Sequence, residues 1–185
     1  MHQIENFING SFLPASSGIR FDKRSPVDNS VIASIAEATR ADVDAAVKAA
    51  RAALHGEWGS LSQDQRVELL YGVADEITHR FDDFKVFADV IKNVPTESFM
   101  LDTPDGRGAL NYALRVPKGV IGVISPWNAP FLLMTWKVGP ALACGNTVVL
   151  KPSEETPFTA ALLGEVMNKV GIPKGVYNVV NGFGP

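Results

Sequence analysis

The chain has 185 residues, of which 46% are hydrophobic and 20% charged, and its formal net charge is −3 at pH 7. These values are ordinary for a globular protein with a substantial core, and they give no reason to expect binding to nucleic acid or to an anionic membrane. No apolar run reaches transmembrane length, and the residues after Met1 do not resemble a signal peptide. The single cysteine excludes an internal disulfide and fits a reducing compartment, so we expect a cytoplasmic protein. The three histidines are scattered, so no metal site is predicted.

The amino-terminal segment, residues 1–97, is predicted to contain two β-hairpins followed by two helices. Asn9-Gly10 between apolar residues is typical of a hairpin turn, and a second turn at 26–30 precedes a strand from Val31 to Ala36. Capping boxes at Thr39–Asp42 and Ser62–Gln65 mark two helix starts. Helical spacing predicts a buried face on the first helix, formed by Val43, Val47, Ala50 and Leu54. The second helix is predicted to bury Val67, Leu70, Val73, Ala74, Ile77 and Phe81.

Residues 98–116 are predicted to form a third hairpin, around Asp105-Gly106. An exposed strand edge is a liability in a monomer because it offers unpaired backbone groups to other chains. The edge therefore favours a homo-oligomer, and an ordinary surface hairpin is the alternative.

Residues 117–185 are predicted to form a βαβαβ unit. Short apolar runs at 119–125, 147–150 and 176–180 suit buried parallel strands. The helices between them are predicted at 131–144 and from an N-cap at Thr156, with Pro157 in the first helical position, to Gly171. The fold class is therefore α/β, with an incomplete Rossmann-like parallel sheet.

Polar residues follow two of these strands directly. Asn128 lies past the end of the first strand, and Lys151, Ser153 and Glu154 lie at or past the end of the second. Ligands of open α/β sheets bind at the carboxyl ends of the strands. These positions predict a binding face.

Three motifs in the same region carry a resemblance to a known family. They are PWN-x-P from residue 126, WK-x-x-PALA-x-GNTVV-x-KPSE-x-TP from residue 136, and GVYNVV-x-GFGP from residue 175. Their spacing over about seventy residues resembles the aldehyde dehydrogenase superfamily. The surrounding sequence is most similar to its branch of bacterial 2-hydroxymuconic (or 2-aminomuconic) semialdehyde dehydrogenases.

The resemblance implies oxidation of an aldehyde to a carboxylic acid through a cysteine thioester, with NAD as hydride acceptor. It implies that Asn128 donates a hydrogen bond to the carbonyl oxygen, although such an asparagine can also be a simple turn former. Lys151 and Glu154 would hold the adenosine ribose; Glu155 is a second candidate, and a solvated surface loop is the plain alternative. The remaining cofactor-binding candidates are Ile124, Ser125, Pro126, Trp127, Ser153, Gly184 and Pro185.

Cys144 is the sole cysteine, and its place at an apolar helix end favours structural packing over catalysis. In the family the nucleophile and the glutamate base belong to a later catalytic domain, so this chain is expected to be an inactive amino-terminal part. The sequence also departs from the family after Phe84, where a piece is missing that includes an arginine for the substrate carboxylate. A non-catalytic dinucleotide-binding or subunit-interaction module is the alternative function.

Overall fold

A five-stranded mixed sheet organises the chain. The computed structural model describes residues 2–25, 27–77, 98–102, 108–112 and 116–184. The described strands are β1 (His2–Ile4), β2 (Asn6–Ile8), β3 (Ser11–Leu13), β4 (Arg20–Arg24), β5 (Val31–Ala36), β6 (Ser98–Asp102), β7 (Gly108–Tyr112), β8 (Val120–Ile124), β9 (Thr147–Lys151) and β10 (Tyr177–Val179). The described helices are α1 (Arg40–His55), α2 (Glu57–Ser60), α3 (Gln63–Glu76), α4 (Pro130–Ala143) and α5 (Phe158–Val170).

The central sheet has the strand order β3-β2-β10-β9-β8. β8, β9 and β10 run parallel, which confirms the predicted βαβαβ unit. The first hairpin extends this sheet, because β2 pairs antiparallel with β10 and β3 with β2. The hairpin turn has φ 52° at Asn9 and φ 74° at Gly10, the left-handed pair that a type I′ turn requires.

A second sheet of three strands, β1-β5-β4, lies beside the first. β1 is parallel to β5, β4 is antiparallel to it, and the pairing is irregular between Lys23 and Arg24. The Ala38 amide that follows β5 donates to the Asn181 carbonyl that follows β10, at 2.8 Å. This bond fixes the small sheet next to the carboxyl end of the central one.

Helices cover both faces of the central sheet, because its side chains alternate between two cores. Val148 and Leu150 belong to the core with α3, α4 and α5, whereas Val149 packs with α1. Both predicted capping boxes are present, at the starts of α1 and α3. Val67, Leu70, Val73 and Ala74 are buried on α3 as predicted.

The predicted buried face of α1 is partly wrong. The buried residues are Asp42, Ala46, Ala50 and Ala53, whereas Val43 is 38% exposed. α1 packs flat on β8, β9 and β10, where alanines allow a closer approach than valines. The face of α1 that contacts the sheet is therefore the one with the small side chains and not the one with the most apolar residues.

α5 begins one residue later than the sequence indicates. Its N-cap is Pro157, with helical φ −77° and no side-chain capping bond, and the first helical residue is Phe158. Thr156 is therefore not the N-cap, and its Oγ1 is buried without a partner among the described residues. The amide of Thr156 instead donates to the Ser153 carbonyl at 3.0 Å, which ends the loop before the helix.

In the region of the third predicted hairpin, β6 pairs antiparallel with β7, in the register Ser98 with Tyr112. Four of the predicted features lie outside the described residues: Phe81 on the second helix, the family gap after Phe84, the Asp105-Gly106 turn and Pro185. Within the described ranges, no helix is long and apolar enough to cross a membrane.

Candidate functional site

Three loops leave the parallel strands at one rim of the central sheet, after Ile124, Lys151 and Val179. Ile124 is in register with Lys151, and the Ser125 amide donates to the Lys151 carbonyl at 3.2 Å. The loops after β8 and β9 are thus tied together where they begin. We call this edge the carboxyl rim.

The first loop presents Asn128 to solvent. Ser125 is buried, whereas Trp127 is 67% exposed and Asn128 is exposed. Ala129 adopts φ 47° and places Pro130 in the first turn of α4, so the loop turns sharply into the helix. The Asn128 amide therefore stands at the rim, next to a helix N-terminus whose partial positive charge favours a developing anion.

Lys137 fixes the end of β8. Its ammonium, on the third turn of α4, donates to the Ile124 carbonyl at 2.7 Å, and the residue is exposed. A lysine in an otherwise apolar helix must reach the surface or find a partner, and Lys137 does both.

The second loop carries an ionised carboxylate. Glu154 accepts from the Lys151 ammonium at 3.1 Å, and the side chain of Glu154 is 35% exposed. A hydrogen bond from its own backbone amide and the bond from Lys151 lower the pKa of Glu154. The Ser153 hydroxyl, which is buried, accepts from the Glu155 amide at 3.2 Å and shapes the loop. Glu155 itself pairs with Lys23 of β4, so each of the two adjacent carboxylates has its own lysine partner.

The third loop, after β10, rests on a buried pair of asparagines. The Asn181 amide donates to Asn6 Oδ1 at 2.9 Å, and Asn181 Nδ2 donates to the Glu5 carbonyl at 3.0 Å. Phe183 packs against Phe21 with ring centroids 4.5 Å apart, and Gly184 is exposed. Pattern reasoning missed Asn6, Phe21 and Lys23, since no local signal links them to residues more than 130 positions away.

A cavity of 340 Å³ lies beside these loops. It is lined by β4, the turn after β4, and the loops after β9 and β10. The lining residues are Phe21, Asp22, Lys23, Arg24, Ser25, Asn29, Glu154, Glu155 and Phe183. A second cavity, of 630 Å³, lies at the opposite rim beside Gly10 and Lys174 and contains none of the predicted site residues. The smaller cavity is the one that adjoins the predicted binding face. An ionised, half-exposed carboxylate beside it suits the hydroxyls of a ribose.

Cys144 is exposed, so the expectation of a buried, packing cysteine is wrong. It lies at the C-cap of α4, just before β9 begins, although Leu142 and Ala143 before it are buried in the core. Arg66 lies near it, and burial lowers the pKa of Arg66. The five residues of β9 place Cys144 roughly 15 Å from the carboxyl rim. Its thiol is therefore far from Asn128.

The profile of the aldehyde dehydrogenase family matches residues 12–88 and 76–185. The chain is 58% identical over 212 residues to 2-hydroxymuconic semialdehyde dehydrogenase from Pseudomonas sp. (strain CF600), covering 100% of this chain and 44% of the relative. It is 49% identical to 2-aminomuconic 6-semialdehyde dehydrogenase from Pseudomonas sp, covering 100% and 43%. The NAD⁺ complex of aldehyde dehydrogenase from Bacillus cereus superposes with a TM-score of 0.89 at 34% identity, covering 100% of this chain and 42% of that one.

The chain therefore spans less than half the length of the curated relatives that it matches. The 212-residue alignment is longer than the 185-residue chain, so the relative carries residues that this chain lacks. The two profile matches overlap at 76–88, the region where the sequence departs from the family. The resemblance seen in the three motifs is confirmed, and the chain belongs to the aldehyde dehydrogenase family.

Proposed function

We propose that this chain forms the amino-terminal part of an NAD-dependent aldehyde dehydrogenase that oxidises a semialdehyde of aromatic catabolism to its carboxylic acid. The observation that carries the proposal is the shared rim, where Asn128 and Glu154 follow neighbouring parallel strands. The relatives named for muconic semialdehydes, at 58% and 49% identity, support that substrate class. The gap after Phe84 removes the arginine that the family resemblance assigns to the substrate carboxylate, so another aldehyde is the alternative.

Asn128 would supply the hydrogen bond that the reaction needs when a thiolate attacks the carbonyl. Attack moves negative charge onto the carbonyl oxygen, and a fixed donor stabilises that charge more than it stabilises the neutral substrate. The exposure of Asn128 just before the N-terminus of α4 supports this role. The thioester would form on a cysteine outside this chain, because Cys144 lies at the opposite rim.

Glu154, Lys151 and Ser153 would hold the ribose end of NAD, which supplies the hydride acceptor when bound. The ionised Glu154 can accept hydrogen bonds from two ribose hydroxyls and would repel a 2′-phosphate, so NAD is favoured over NADP. Ile124, Ser125, Pro126 and Trp127 would line the channel between the ribose and Asn128. Gly184 and Pro185 would lie towards the adenine.

Calorimetry tests the cofactor site directly. We expect NAD to bind the chain and Glu154→Gln to weaken binding roughly ten- to hundredfold, because the substitution removes a charge-assisted acceptor. Glu165→Gln, on α5 and away from the rim, is the matched control and should leave the affinity unchanged. NAD that binds both variants equally would contradict the assignment of Glu154.

The chain by itself should not oxidise aldehydes, because its one cysteine is at the wrong rim. Incubation with NAD and an aldehyde should give no NADH absorbance at 340 nm above the rate of a protein-free blank. Steady NADH formation that disappears in Cys144→Ala would overturn this prediction.

The second candidate function is a non-catalytic module that binds a dinucleotide or another subunit. The observation that favours it is the absence of a usable nucleophile at the rim among the described residues. The two-stranded sheet β6–β7 supports the subunit role and a homo-oligomer, since an isolated hairpin has little stability alone. We place either form in the cytoplasm because the one cysteine is exposed and has no partner within the chain.

A further inference from the structure

Lys23 forms an ion pair that no sequence pattern indicates. Its ammonium, on β4, pairs with the carboxylate of Glu155, 132 positions later in the loop after β9. The Lys23 side chain is only 19% exposed, whereas that of Glu155 is 58% exposed. The side chain of Lys23 is thus mostly buried, whereas Glu155 lies on the exposed loop after β9 and contacts it from there.

β4 is irregular next to this contact. Its pairing with β5 shifts between Lys23 and Arg24, and such irregularities re-aim the side chains around them. Two residues earlier, Phe21 packs against Phe183 of the loop after β10. β4 therefore touches two of the three loops at the carboxyl rim, and the 340 Å³ cavity lies between these contacts.

The loop after β9 also has bonds of its own, but they are local. Ser153 accepts from the amides of Glu155 and Thr156, and Lys151 pairs with Glu154 three residues away. These bonds set the shape of the loop, whereas the Lys23–Glu155 pair joins it to another sheet. Removing that pair leaves the local bonds in place but removes this link between the loop and β4.

The charges give Lys23 a second effect. Glu154 and Glu155 are adjacent carboxylates, and two cations, Lys23 and Lys151, stand beside them. Lys23 pairs with Glu155 and Lys151 with Glu154, and the charge of Lys23 also acts on Glu154. Without Lys23, Glu155 would lose its cation, and Lys151 would be left beside two adjacent carboxylates.

We propose that Lys23 is a positioning residue, which holds the loop after β9 against β4 so that the Glu154 carboxylate faces the cavity at the carboxyl rim. The consequence for NAD rests on the proposed function, whereas the consequence for the loop does not. Lys23 does not need to touch the cofactor for either effect.

The test compares Lys23→Met with Lys23→Arg, which keeps the charge, and with Lys169→Met. The last variant removes another lysine–glutamate pair, Lys169 with Glu76 at 2.5 Å, near the C-terminal end of α5 and away from the rim. Hydrogen exchange of the amides of residues 153–156 measures the loop, and calorimetry measures NAD. Lys23→Met should raise loop exchange several-fold and weaken NAD roughly two- to fivefold, the range of one partly exposed ion pair.

Lys23→Arg should behave like the wild type in both measurements, and Lys169→Met should leave the loop unchanged. Unaltered loop exchange in Lys23→Met would overturn the proposal, whether or not NAD binds. An equal rise in Lys169→Met would also overturn it, because the effect would then be a general loss of stability. A wild-type chain that binds no NAD would contradict the proposed function instead, and loop exchange alone would then decide the role of Lys23.

Discussion

Trp58→Ala should lower the free energy of unfolding by about 3–5 kcal/mol, the usual cost of truncating a large buried aromatic residue. Trp58 is fully buried in the core that α3, α4 and α5 share. Its indole N–H donates to the carbonyls of Gly145 at 3.1 Å and Asn146 at 3.0 Å, so it also joins α2 to the connection between α4 and β9. Urea unfolding followed by circular dichroism measures the change.

Trp127→Ala is the matched control, because it removes the same side chain from a site that is 67% exposed. We expect it to change the free energy of unfolding by less than about 0.5 kcal/mol. Trp58→Phe should fall between the two, since it keeps most of the apolar area but leaves two carbonyls without a donor. Equal losses in Trp58→Ala and Trp127→Ala would contradict the described packing of Trp58.

Asn128→Ala should lower kcat about 10²- to 10³-fold, the typical cost of removing one oxyanion donor. The measurement needs a complete enzyme, for which this chain can be fused to the carboxyl-terminal part of the dehydrogenase from Pseudomonas sp. (strain CF600). KM should change little, because the hydrogen bond strengthens only as charge develops. NADH formation gives both constants.

Asn168→Ala in the same fusion is the control, since it removes an amide at the opposite rim that donates to the Gly10 carbonyl. Its kcat should stay within about twofold of the parent, as expected for a surface change away from the reaction. An Asn128→Ala fusion with unchanged kcat would show that the amide is a turn former.

The β8–α4–β9 unit could be predicted from sequence because its signals are local. Apolar runs, prolines and glycines mark where each element stops, and the motifs place Asn128 and Glu154 after neighbouring strands. The antiparallel addition of β2 to β10 has no such signal, since it depends on pairing between Phe7 and Val179. The exposure of Cys144 has no such signal either, because Leu142 and Ala143 directly before it are buried in the core.

Packing also overrode the apolar pattern at α1, where small residues face the sheet and Val43 does not. The long-range contacts of Lys23 with Glu155 and of Phe21 with Phe183 were equally invisible, although they border the candidate site. The sequence alone thus predicts where the carboxyl rim lies and which polar residues it carries. The long-range contacts that hold the rim in place can be seen only in the tertiary structure.

Titration of ¹⁵N-labelled chain with NAD, followed by amide chemical shifts, tests directly whether the carboxyl rim binds the cofactor. We expect the largest shifts at Ser125, Lys151, Ser153 and Glu154, in the loops that leave β8 and β9. Shifts confined to the opposite rim, around Gly10 and Lys174, would contradict the account, as would a spectrum that NAD leaves unchanged.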